Sequence, residues 1–137
     1  MSEPFALVTD APLDRAALEA RVLTRADGAL VVFEGVIRDH DHDESVSSLD
    51  YQAHPDAERF LAEVCASVAT ATGLRVAAAH RIGHLEVGDV ALVAVVAAAH
   101  RAEAFAACAR LVDEIKLGVP IWKRQHLADG PSEWVGL

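Results

Sequence analysis

Of the twelve basic residues in this 137-residue chain, ten are arginine, and the two lysines, Lys116 and Lys123, both fall among the last three. A guanidinium cannot usefully give up its proton, whereas an amine can be tuned into a nucleophile, acid or base. A chain that otherwise uses arginine therefore keeps lysine where an amine is needed. Lys116 and Lys123 are the candidate catalytic pair. Seven fully extended residues would hold them up to about 23 Å apart, so they cooperate only if the segment containing Gly118 and Pro120 turns the chain back. Two solvated surface lysines are the alternative.

His100 and Arg101 stand between a strand end and a helix start, where free backbone N–H groups and the helix dipole favour an anion. Arg38 stands at a strand exit. Should Arg38, His100, Arg101, Lys116, Lys123 and Arg124 converge, this acidic chain gains a cationic pocket suited to a phosphate or carboxylate. Unrelated surface charges are the alternative. His40 and His42 would share one side of an extended segment, but two ligands in a solvated loop are too few for a closed metal site. His54, His80, His84 and His126 stand alone in sequence and read as structural or surface histidines, so no metal is expected. Cys65 and Cys108, far apart in helical segments, read as buried inert thiols. No GxSxG, HExxH, P-loop or GxGxxG is present, which disfavours serine-hydrolase, nucleotide-binding and dinucleotide-binding functions.

The net charge of −9 argues against nucleic acid or an anionic membrane as partner, since both require a broad positive field. No leader pattern or apolar stretch of spanning length is seen, so a cytoplasmic protein is expected. The length and the 53% hydrophobic content fit one domain with a core of its own.

The elements that must position these residues follow from pattern. A short strand is expected over 5–8, then a helix opened by Asp10 and Pro12 and reaching about Leu23. Residues 29–37 follow the Asp27-Gly28 turn pair and read as a strand, 39–44 as a polar loop, and 46–53 as a returning strand that could pair with 29–37. Pro55 starts a helix ended by Gly73, with Leu61, Val64, Cys65 and Val68 on one face. Residues 74–85 and 90–98 read as two strands joined by a tight turn. A third helix opens at His100-Arg101, carries an apolar stripe of Phe105, Cys108, Val112 and Ile115, and is capped by Gly118. The tail holds two tryptophans and an Asp129-Gly130 turn. Strand pairs and helices in this order predict an α+β fold with a largely antiparallel sheet.

Several motifs then stand out together: Phe33-Glu34-Gly35-Val36-Ile37-Arg38-Asp39-His40, Leu49-Asp50-Tyr51-Gln52-Ala53-His54, and His80-Arg81-Ile82-Gly83-His84-Leu85-Glu86-Val87-Gly88-Asp89. His100-Arg101-Ala102-Glu103-Ala104-Phe105, the KLGVPIWKR run from Lys116 to Arg124, and Ser132-Glu133-Trp134-Val135 complete the set. In order and spacing, from about Phe5 onward, the chain resembles the large, catalytic subunit family of molybdopterin synthase (MoaE type). The resemblance implies an α/β hammerhead fold with additional antiparallel β-strands, and a sulfurtransferase that converts precursor Z (cyclic pyranopterin monophosphate) to molybdopterin without a cofactor of its own. The sulfur would arrive as a thiocarboxylate on the C-terminal glycine of a small ubiquitin-like subunit. A homodimer of large subunits, with one small subunit at each end, makes a heterotetramer. By the same resemblance Lys116 and Lys123 match the catalytic lysines, and Arg38, His100 and Arg101 match the residues lining the pterin and phosphate pocket. The loop after Arg38 departs from the Asn and Gly of many members. The sequence also stops two residues after Val135, so any function of the longer charged tail of some members is expected to be missing. A noncatalytic module that grips a ubiquitin-like tail and a small metal-binding protein built on His40 and His42 are the competing readings.

Overall fold

Alanine- and valine-rich runs build the first sheet. The computed structural model describes residues 4–41, 44–127, 130 and 132–136. In it β1 (Phe5–Thr9), β5 (Arg75–Arg81), β7 (Val90–Ala98) and β2 (Ala29–Val36) lie side by side in that order. β1 runs parallel to β5, and the β5–β7 and β7–β2 pairs are antiparallel. Alternation along the strands sends Val76 and Ala78 of β5 and Leu92, Ala94 and Val96 of β7 to one face. Ala77, Ala79, Val93, Val95 and Ala97 go to the other. The first face is covered by α2 (Ala57–Thr72) and α3 (Arg101–Gly118), the second by Leu18 and Val22 of α1 (Arg15–Val22). Burial on both faces is why β7 reads as a nearly unbroken apolar run instead of an alternating one.

A second, antiparallel sheet packs beside it. β3 (His40–Asp41), β4 (Glu44–Ala53), β8 (Ile121–Leu127) and β9 (Ser132–Gly136) follow in order, and β6 (Gly83–Glu86) also pairs with β4. The predicted α+β arrangement is observed, and among the described pairings only β1–β5 is parallel. No described helix is long and apolar enough to cross a membrane.

Local physics moved several boundaries. The first helix begins at Arg15 and not near Pro12, because the Asp14 carboxylate accepts the Ala17 N–H at 3.1 Å and so caps the first turn. The stretch 74–85 is two strands in two different sheets: Gly83, at φ 91°, takes a left-handed conformation that redirects the chain between them. The strands at 29–37 and 46–53 do not pair with each other; β2 takes β7 as its partner and β4 takes β6 and β8. Within the expected 39–44 loop, His40 and Asp41 form a short strand against β4, while His42 lies outside the described residues, as does Asp129. Gly118 is the last residue of α3, and extended Val119 is the cap. Phe105 is 62% exposed; the buried stripe of α3 is Ala104, Ala107, Cys108, Leu111, Val112 and Ile115. Alanine at 104 and 107 lets the helix approach β2 and β7 closely, which puts Phe105 about 100° away around the axis. Cys65 and Cys108 are buried as expected, and burial pushes both thiols up, Cys65 to about 12.

Candidate functional site

A cleft of about 380 Å³ opens where the two sheets meet. β2 contributes Phe33 through Val36, followed by Ile37 and Arg38; β4 contributes Leu49 and Tyr51, and β7 contributes Ala91 and Leu92. His80 enters from the end of β5, Lys116 from the last turn of α3, and Lys123 and Gln125 from β8. The Gly118–Pro120 turn does what the two lysines require. α3 ends with the Val119 N–H bonded to the Ile115 carbonyl at 3.0 Å, β8 starts at Ile121, and Lys123 reaches the same cleft as Lys116.

Strand register fixes the cleft wall. Leu49 pairs with Gln125 and Tyr51 with Lys123, so alternate residues of β4 and β8 face inward together. Gln125 is 2% exposed, and burial raises the Tyr51 phenol to about 12, so it is neutral at physiological pH. His80 is buried against Tyr51, with ring centroids 4.9 Å apart in an edge arrangement. Its Nδ1 lies 2.8 Å from the Arg81 carbonyl; a carbonyl only accepts, so Nδ1 carries the proton and Nε2 keeps its lone pair. Burial pushes the His80 pKa down to about 4, the Arg81 carbonyl opposes that shift, and the Lys116 charge adds to it. The ring is therefore neutral beside a cationic lysine. At the cleft mouth Arg38 Nη2 donates to Asp41 Oδ1 at 3.1 Å. Asp41 is buried, whereas the Arg38 side chain is 67% exposed, so the carboxylate aims the guanidinium without removing it from solvent.

Three of the expected site residues, Arg38, Lys116 and Lys123, thus share one cleft. His100 and Arg101 do not join them. Both are exposed at the start of α3, where the Glu103 carboxylate accepts the His100 N–H at 3.3 Å. Along a helix rising about 1.5 Å per residue, Arg101 stands roughly 22 Å from Lys116. Arg124 is also elsewhere, its guanidinium 5.9 Å from the Trp134 ring centre. Tyr51 and Gln125 line the cleft without having been singled out in the sequence, and His80, read there as a structural or surface histidine, lines it as well. Two-residue alternation with Val76 and Ala78 was the available signal for His80, and alternation with Leu49 the signal for Tyr51.

The model of the family described as MoaE protein matches residues 8–117. A molybdopterin synthase catalytic subunit from Nostoc sp. is 39% identical over 133 residues, covering 95% of this chain and 81% of that one. The crystal structure of molybdopterin synthase from Staphylococcus aureus superposes with a TM-score of 0.87 at 32% identity, covering 100% of this chain and 99% of that one. A complex of subunits 1 and 2 of molybdopterin-converting factor from Helicobacter pylori shares the fold at 20% identity, with a TM-score of 0.72 and coverage of 95% and 88%. With a family model matching most of its length and a relative of this similarity spanning nearly all of it, the chain belongs to the MoaE family.

Proposed function

We propose that this chain is the catalytic subunit of a molybdopterin synthase, a sulfurtransferase that converts precursor Z to molybdopterin, and that residues 1–137 act as one domain. The observation that carries the reading is the meeting of both lysines with Arg38 on one cleft. Each transfer has to break the bond between sulfur and the acyl carbon of a thiocarboxylate, form a bond from sulfur to a substrate carbon, and return the carrier tail as a carboxylate with oxygen from water. An amine beside the acyl carbon can act as covalent or proton-transfer partner, and a guanidinium can neutralise the cyclic phosphate as its ring opens. Lys116 and Lys123 take the first role, Arg38 the second. Neutral His80 adds a hydrogen-bond acceptor, Nε2, without adding charge next to Lys116.

The sulfur donor in this reading is a small ubiquitin-like subunit whose C-terminal glycine thiocarboxylate enters the cleft. That the Helicobacter pylori neighbour is a two-subunit complex supports such a partner. For His100 and Arg101 to bind the same substrate, they must come from a second copy of the chain, because α3 separates them from their own cleft. The expected homodimer provides that copy, and two small subunits make it a heterotetramer.

Single-turnover conversion of precursor Z with the thiocarboxylated small subunit tests the proposal. Wild type is expected to form molybdopterin, and Lys116→Ala to form none while keeping its fold and partner affinity. Partner binding without product in the wild type would instead establish a noncatalytic module. Substantial transfer by Lys116→Ala would remove that lysine from the chemistry.

A further inference from the structure

The sheet that presents Tyr51, Lys123 and Gln125 to the cleft carries a different set of side chains on its other face. Alternation turns Asp50 of β4 away from Leu49 and Tyr51, and turns His84 and Glu86 of β6 away from buried Leu85. Asp50 and His84 are direct cross-strand partners, and His126 of β8, paired with Ser48, lies diagonally across from Asp50. Strand pairing therefore brings together three residues that are far apart in sequence. Asp50 Oδ1 is 2.9 Å from His84 Nδ1, and Asp50 Oδ2 is 2.6 Å from His126 Nε2. One ligand atom from each of the three lies within 4.8 Å of the other two.

We propose that Asp50, His84 and His126 form a binding site for a divalent transition-metal ion of the zinc type, clipping β4, β6 and β8 together behind the cleft. Two imidazoles and one carboxylate suit zinc, cobalt or nickel, whereas magnesium and calcium call for oxygen donors throughout. At zinc–ligand distances of about 2.0–2.1 Å, tetrahedral ligand atoms sit roughly 3.4 Å apart, so small side-chain rotations close the site. The rings are also held as metal-bound histidines are held. The nitrogen that His84 does not offer to Asp50 is 2.9 Å from Glu86 Oε1, and the nitrogen that His126 does not offer is 3.1 Å from Ser132 Oγ. Such outer partners fix which nitrogen faces the ion. Arg124, the register partner of Asp50 on β8, turns its charge toward the Trp134 ring of β9. Three protein ligands leave a fourth position for water. The site is separate from the His40 and His42 loop considered in the sequence, where the described ring, His40, bonds Asp39 at 2.9 Å.

The test is titration of chelator-treated full-length protein with Zn²⁺ by calorimetry and with Co²⁺ by visible absorption. Wild type is expected to bind one equivalent, to show the intense absorption of tetrahedral Co²⁺, and to rise in Tm by several degrees when Zn²⁺ is well above Kd. His84→Ala, His126→Ala and Asp50→Asn should each weaken binding at least tenfold, while His40→Ala and His54→Ala bind as wild type does. On the wild-type protein alone, Zn²⁺ should shift the ring resonances of His84 and His126 and no other histidine, which keeps the test decisive if a variant folds poorly. Absence of saturable binding would overturn the proposal, as would binding that survives all three substitutions or ring shifts elsewhere. The cluster would then be a plain ion-paired network.

Discussion

Acid should destabilise this protein through His80 before its carboxylates titrate. The ring is 2% exposed, its Nδ1–H is committed to the Arg81 carbonyl, and Lys116 stands in the same cleft, so burial and the lysine charge hold its pKa at about 4 against 6.5 when unfolded. Below pH 6.5 the unfolded chain therefore takes up a proton that the folded chain refuses, and stability is lost as the pH falls toward 4. A 2.5-unit gap is worth about 3 kcal/mol in full, of which about 2 kcal/mol is lost by roughly pH 5. Urea unfolding at about pH 7 and about pH 5 measures it, comparing wild type with His80→Asn, whose side-chain amide can still donate to the Arg81 carbonyl. The variant should be less stable at neutral pH and should lose about 2 kcal/mol less on acidification. Contributions from His84 and from carboxylates are common to both proteins and cancel in the difference. Equal losses in the two proteins would refute the argument, since they would mean that the buried ring is protonated as readily folded as unfolded.

Leu61 is fully buried between α2 and the first sheet, so Leu61→Ala should cost about 3 kcal/mol in urea unfolding with an unchanged m-value. At Gly28 an added Cβ would lie 2.6 Å from the Ala99 carbonyl oxygen, a backbone atom that cannot swing aside, so Gly28→Ala should destabilise by about 1–3 kcal/mol and lower Tm in calorimetry. If His100 and Arg101 serve a second copy's cleft, Lys116→Ala and Arg101→Ala, each inactive as a homodimer, should recover about one quarter of wild-type sites after random mixing, because half of the dimers then hold one intact site of two. No recovery after verified subunit exchange would assign all site residues to one chain.

Elements with a strong local signal were legible. The β-branched run of β2, the Gly73-terminated α2 and the apolar β7 follow from propensity and pattern, and all three are where the sequence puts them. Partner choice was not legible, because pairing energy is non-local: nothing within 29–37 distinguishes 46–53 from 90–98 as a neighbour, and burial of both sheet faces decided for β7. Phe105 shows the same limit within one helix. Its spacing fits an apolar stripe, but close approach of α3 to the sheet favours Ala104 and Ala107.

The two clusters on β4 and β8 show why chemistry can be partly visible in sequence and partly hidden. Lys116 and Lys123 were conspicuous because their residue type is rare here and because one turn suffices to bring them together. His84 and His126 were each unremarkable, since the register that joins them runs through Asp50 of a third strand. The same register gives one sheet two chemically distinct faces: Tyr51, Lys123 and Gln125 toward the cleft, Asp50 and the two histidines toward solvent. A one-residue slip of β8 against β4 would exchange its faces, carrying Lys123 out of the cleft and His126 toward it. Buried Gln125 and Ile121, which share the inward face of β8, oppose that slip. Any ligand on the outer face would oppose it too, and so would help hold Lys123 in the cleft without touching it.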